Sequence, residues 1–160
     1  MSEGSIFYAC RGDSYVLKFI GDVRLTLCST LDQHLQVIFC NKGFTRVLID
    51  LTETESIDST SLGLIAKLAK RCKEKSLEMP TIVSTNDDVT RILTTMGFDQ
   101  VFLLLDQLPT NATDLERLPQ VQESEEEVRL RIIDAHKVLM DLNDANRDAF
   151  KDLVKTLECC

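Results

Sequence analysis

Residues 46–51, RVLIDL, constrain this chain more than any other stretch. The run is short, almost continuously apolar and bounded by polar residues. It is too brief for a helix and reads as a β-strand buried on both faces. Such a strand needs strands beside it and helices above it, and the flanking sequence offers both. Residues 6–10 and 14–20 are rich in β-branched and aromatic side chains, with RGD between them as a turn, which predicts a hairpin. Ser29 or Thr30 can cap a helix over residues 30–41, whose Leu31, Leu35, Ile38 and Phe39 share one face, and Gly43 suits its left-handed end. A second helix is predicted from about Thr60 to Glu74, with Leu62, Ile65, Leu68, Ala69 and Cys72 facing inward. PTIVS, residues 80–84, reads as a strand, and NDDVTRILTTMG as a capped helix ending at Gly97. VFLLL, residues 101–105, reads as a further strand or a helix start. The order β-β-α-β-α-β-α-β predicts an α/β domain with a mixed sheet covered by helices.

Charge and cysteine usage narrow the partners. Net charge is −8, and residues 111–160 hold 12 acids against 7 bases while residues 1–110 hold 14 against 11. Nucleic acid as the main partner is disfavoured, because phosphate contacts need clustered Lys and Arg. No apolar run is long enough to span a bilayer, and MSEGSIFYACRGD lacks the pattern of a secretory signal. RGD would need an extracellular receptor, and nothing else in the sequence reads as secreted. Cys10, Cys28, Cys40 and Cys72 lie in apolar stretches, and Cys159 and Cys160 are adjacent at the end. No CxxC pair occurs, so buried, reduced thiols, a cytoplasmic protein and no metal site are expected.

The tail follows a different pattern. Residues 106–122, with Pro109 and Pro119, predict a short helix and a linker. Beyond them Val128, Ile132, Ala135, Leu139, Leu142, Asn146, Ala149 and Leu153 follow a heptad-type seam. Unbroken, that helix would run about 50 Å, but DLNDAN at 141–146 is weak helix sequence, so a break into two helices is equally compatible. One apolar stripe must lie on the domain, on a second copy or on a partner. Packing or partner binding is favoured over dimerisation, although Asn146 is what a register-setting dimer would use.

Between the central strand and its helix lies SIDSTS, residues 56–61. Asp58 or Ser59 can cap the helix, and this needs no further function. A serine hydrolase would need a base and an oxyanion hole, and neither a GxSxG motif nor a well-placed histidine is evident. A phosphate acceptor is the third reading. The first turn of a helix offers free N–H groups, and a phosphate would add roughly −1.5 to −2 charges to a loop already holding Glu53, Glu55 and Asp58. Gly63 costs up to about 1 kcal/mol in a helix relative to Ala, which implies that another segment or a docked partner packs closely against it.

LIDLTETESIDSTSLGLIAKLAKRC resembles the signature of STAS domains, in particular the bacterial anti-sigma factor antagonists. Asp50 matches the first acid of that pattern, Asp58 the second, Ser59 the first hydroxyl, Thr60 the phosphoacceptor, and Leu62-Gly63 the following Leu-Gly. TRILTTMGF is similar to the family's helix near the end of the domain. Ser61 departs from the pattern, which commonly has glycine there. The resemblance implies a STAS domain over residues 1–110 and says nothing about the tail, whose own pattern predicts a linker over 111–122 and an added amphipathic helical extension over 123–160. It implies no catalytic activity and no cofactor. The unphosphorylated chain would bind an anti-sigma factor that is also a serine/threonine kinase, through Asp58, Ser61, Leu62 and Gly63. Phosphorylation at Thr60, or else Ser59 or Ser56, would release it, and a metal-dependent, PP2C-like phosphatase would reset it. The extension could recruit a second effector.

Two other readings remain open at this point. One is a ligand-sensing or scaffolding STAS module without phosphorylation. The other is a phosphorelay protein, using Asp50 as a receiver acid or His136 as a phosphotransfer site. A receiver also wants paired acids after its first strand and a lysine after its last, and only Asp22 is present. Helical spacing places His136 near the Ile132/Leu139 seam, as a half-buried histidine.

Overall fold

The structure, a computed structural model, describes residues 3–40, 43–109 and 114–159. Strand β1 (Ser5–Arg11) turns through Gly12, in left-handed conformation at φ 57°, into β2 (Ser14–Val23), its antiparallel partner. Helix α1 (Cys28–Cys40), β3 (Arg46–Ile57), α2 (Ser59–Glu74), β4 (Thr81–Val83), α3 (Asp87–Thr95) and β5 (Leu103–Leu105) follow. Then come β6 (Glu116–Arg117), α4 (Glu125–Met140) and α5 (Asp144–Glu158). The sheet order is β5-β4-β3-β2-β1-β6. Strands β2 to β5 run parallel, and β1 and β6 close one edge in antiparallel pairing.

The alternation in β2 sends Tyr15, Leu17 and Phe19 into the core, where they meet Ile49 and Leu51 of β3 and Leu62 and Ile65 of α2. The opposite side chains, Val16 and Leu48, stay half-exposed. The expectation that β3 is buried on both faces is therefore corrected. The second face of the sheet is only partly shielded, with Leu108 and Pro109 beside a depression that Val16 and Leu48 help to line. Strand β3 is also longer than RVLIDL and continues to Ile57, because TETESI keeps pairing with residues 20–23 of β2 across two register shifts.

The segment expected to hold a short helix is not helical over its described residues. Instead Glu116 and Arg117 pair with Tyr8 and Phe7, and Leu118 is buried. Thr30 Oγ1 donates to Pro119 O and accepts from Val121 N, each at 3.0 Å, and Ser29 Oγ donates to Val121 O at 2.9 Å. The chain thus reaches α4 already fastened to α1. Residues 111–113 of the expected linker lie outside the described residues, as do residue 110 and Cys160.

Helix α4 starts on a Ser-x-x-Glu cap, in which Ser124 Oγ accepts from Glu127 N at 3.2 Å. The heptad seam does not become one long helix. Asn143 caps a new helix by accepting from Asn146 N at 2.8 Å, so the chain turns at Asp141–Asn143 and α5 packs back on α4. The seam is followed as far as Asn146. Ala149 and Leu153 are exposed, and Phe150 and Val154 face inward instead, since the turn resets the helical phase. Asn146 sets no dimer register here. Its Nδ2 donates to Met96 O at 2.8 Å and Leu139 O at 2.9 Å, joining the ends of α3 and α4 to the start of α5.

The result is three layers: the sheet, then α1 and α2, then the α4–α5 hairpin on α2. Helix α2 is therefore buried on two sides. Gly63, Leu64 and Ala66 are covered along with the inward stripe read from the sequence.

Two predictions follow from this packing. Asn146→Ala removes two hydrogen bonds, to Met96 O and Leu139 O, and should lower stability by about 1–3 kcal/mol in urea unfolding. Burial pushes the Cys28 thiol up to about 12 and the Cys72 thiol up to about 11. A raised thiol pKa favours the neutral, unreactive form. Iodoacetamide at pH 7–9 should thus modify the exposed Cys10, Cys40 and Cys159 of the native protein and spare Cys28 and Cys72.

Candidate functional site

The hydroxyl cluster forms where β3 hands over to α2. Asp58 is the N-cap in extended conformation. Its Oδ1 accepts from Ser61 N at 2.8 Å, and its Oδ2 accepts from Leu25 N at 2.7 Å. Asp58 N donates to Val23 O at 3.0 Å. One carboxylate thus caps α2 and ties its start to the turn between β2 and α1, which is more than a capping role alone requires.

The hydroxyls point in different directions. Ser61 is buried, and its Oγ lies 3.4 Å from Cys28 Sγ. The residue that departs from the family glycine is thereby accommodated against α1. Thr60 is 6% exposed. Ser59 is half-buried, and its Oγ lies 2.8 Å from His136 Nε2 on α4. His136 Nδ1 lies 2.7 Å from the Ile132 carbonyl, which can only accept, so Nδ1 carries the proton. In the neutral ring Nε2 then accepts from the Ser59 hydroxyl. Ser56 is corrected in position: it lies on β3, not in an acidic loop, and its Oγ donates to Asp22 Oδ1. That hydroxyl and the Arg24 guanidinium hold the Asp22 carboxyl below its ordinary range.

Leu62 is buried toward the core, whereas Gly63 faces α4. A Cβ on Gly63 would lie 2.3 Å from Ala135 O and 2.7 Å from Ala135 Cβ, so only glycine allows this approach. Four residues on, Lys67 Nζ donates to Asp134 Oδ2 at 2.9 Å and Asp32 Oδ1 at 3.4 Å. Arg131 Nε reaches Asp32 Oδ2 at 3.4 Å, and its Nη1 pairs with Glu123. Burial works against the Arg131 charge, but Glu123 and Asp32 outweigh it and hold the guanidinium above its usual pKa. The structure brings together Ser59, Gly63 and Lys67, one turn apart along α2, under His136, Ala135 and Asp134 of α4.

Nothing in the sequence pairs His136 with Ser59. Its signal was indirect: an unexplained Gly63 in a helix, and a histidine inside the apolar seam. His136 is 2% exposed, more deeply buried than expected, with Phe150 edge-on at 5.0 Å. Asp50, the first acid of the motif, is also buried. Its Oδ1 accepts from Thr52 N at 2.9 Å and Thr52 Oγ1 at 2.6 Å, beside Lys18 Nζ at 3.9 Å. Toward the far end of α2, Ala66, Ala69, Leu77, Val101, Val138 and Leu142 line a largely apolar cavity of about 490 Å³. Among the described residues no group of three or more His, Cys, Asp or Glu is placed to hold a metal ion, and no helix is long and apolar enough to cross a membrane.

Comparison with known proteins agrees with this geometry. The STAS domain family profile matches residues 9–127. A Thermotoga neapolitana protein named for anti-sigma factor antagonism is 34% identical over 70 residues, which are 44% of this chain and 61% of the relative. The match thus spans less than two thirds of that relative's length. A crystal structure of a Thermotoga maritima protein of the same name is 26% identical, with a TM-score of 0.57, covering 63% of this chain and 86% of the other. Bacillus SpoIIAA in its phosphorylated form shares the fold at 9% identity and a TM-score of 0.52, covering 69% of this chain and 92% of its own. With its mixed sheet, its Asp58-capped α2 and these relatives, the chain belongs to the STAS domain family, among the anti-sigma factor antagonists.

Proposed function

We propose that this chain is a phosphorylation-controlled, partner-switching antagonist of an anti-sigma factor. In the unphosphorylated form the start of α2 docks an anti-sigma factor that is also a serine/threonine kinase. Phosphorylation there ends the complex, and a metal-dependent phosphatase restores it. The kinase brings the nucleotide and Mg²⁺, and this chain contributes the hydroxyl. All of this belongs in the cytoplasm.

The observation that carries the reading is the placement of Ser59 and Thr60 in the first turn of α2, directly after the Asp58 cap. A phosphate in that turn meets backbone N–H groups and the positive end of the helix dipole, so the helix start favours the added charge. A docked partner does not, since burying an unpaired dianion costs several kcal/mol. A neighbour of this fold has been solved in a phosphorylated form, which is support for the same chemistry here. Of the three candidate hydroxyls, Ser56 is the poorest, because its phosphate would lie against the Asp22 carboxylate. A phosphorelay role for His136 or Asp50 is disfavoured by burial and by the hydrogen bonds each already makes.

Incubation of the full chain with an anti-sigma factor kinase and ATP tests the proposal. Peptide mass spectrometry should find one acid-stable phosphoryl group on Ser59 or Thr60, absent from the Ser59→Ala/Thr60→Ala double variant. The phosphorylated chain should bind the kinase about a hundredfold more weakly or worse, as a several-kcal/mol penalty requires. An acid-labile adduct on His136 or Asp50, or equal binding by the two forms, would overturn the reading.

A further inference from the structure

We infer that α4 is an intramolecular occupant of the docking face of α2: it competes with the partner for that face and withholds Ser59 from modification. The inference rests on the function proposed above, which places the partner on the start of α2.

Three contacts carry it, spaced one helical turn apart. At the first, Ser59 Oγ is hydrogen-bonded to His136 Nε2 at 2.8 Å. At the second, Gly63 takes the backbone of α4 so closely that a Cβ would sit 2.3 Å from Ala135 O. At the third, Lys67 pairs with Asp134 at 2.9 Å. Residues at i, i+4 and i+8 form a single helix stripe, so one candidate acceptor, the Leu-Gly position of the motif and the ion pair all lie under the same partner helix. A phosphoryl group on Ser59 would need the space that His136 fills, so the modified and covered states exclude one another.

The cover is an addition to the family fold. The family match ends at residue 127, three residues into α4, and the Thermotoga maritima structure covers 63% of this chain. The added helices lie on the very face at which the proposed partner would dock.

Further along α4, Val138 and Leu139 join the core, but over the start of α2 the cover is held mainly by polar contacts. Two of its three contacts are polar, and Asp134 is half-exposed at 52% of its side chain. The opposite side of α2 is apolar, where Leu62, Ile65 and Leu68 hold it to the sheet. Release of α4 can therefore leave α2 and the sheet in place.

Two variants on α4, outside the proposed docking residues, test the inference in the full chain. Ala135→Leu over-packs the contact with Gly63. Asp134→Lys sets a like charge against Lys67 and is the milder change. Hydrogen exchange read by mass spectrometry reports opening without any partner. The amides of α4 should exchange about tenfold faster or more, as an over-packed contact of this kind demands, while β2 and β3 keep their protection. In parallel, an anti-sigma factor kinase with ATP should bind both variants about tenfold more tightly than the parent and phosphorylate Ser59 faster. Faster exchange in α4 with unchanged kinase affinity and phosphorylation would overturn the competition and leave the proposed function standing. Unchanged exchange in both variants would show that α4 does not separate, and would overturn it as well. No binding and no phosphorylation of any chain, with α4 opened, would overturn the proposed function itself.

Discussion

Because residue 63 has no side chain, the backbones of two helices meet there, and the outer layer of the molecule is built on that meeting. A methyl group at this position would collide with the Ala135 carbonyl, a backbone atom that no rotamer change can move. Around this contact the surrounding residues arrange themselves by reach. Short Ser59 meets the His136 ring on one side, and long Lys67 meets Asp134 on the other. Asp32 on α1 then joins Lys67 to Arg131, so α1, α2 and α4 share one partly buried set of charges. Such a set fixes position more than it adds net stability, because desolvation offsets much of the attraction.

The inner layers were legible in the sequence because each depends on a local pattern. The hairpin came from the strand-turn-strand run around Gly12, and α2 from the spacing of Leu62, Ile65, Leu68 and Cys72. The Asp58 cap followed from chemistry that every helix start shares. What was missed depends on contacts distant in sequence. The run TETESI reads as a loop by composition, yet it is a strand because residues 20–23 lie beside it to accept pairing. Likewise Glu116 and Arg117 are strand only because β1 offers them an open edge. No periodicity in either segment announces such edges.

The candidate site was half legible for the same reason. Its residue types and their motif spacing were visible, whereas their accessibility was not. The reading of α2 as a helix with one buried stripe assumed that its other side met solvent or a partner. Gly63 already stood against that assumption, since a helix tolerates glycine at some cost and needs a reason for it. The reason proved to be part of the same chain. Asn146 taught a similar lesson: a lone amide in an apolar seam suggests a dimer register, but here it satisfies two helix-end carbonyls of its own chain.

The strap that delivers α4 also sets how the covering helix behaves once lifted. Leu118 is buried, and Val121 is stitched to Ser29 and Thr30, so the hairpin leaves its seat on a leash only a few residues long. A segment held so near its seat returns at an effective concentration of roughly millimolar or above. Any visitor must outcompete that local excess, whatever the abundance of the protein itself. Under the competition inferred above, the leash would impose a threshold: scarce visitors would be ignored, and response would begin only when their number or affinity is high enough to hold the hairpin off.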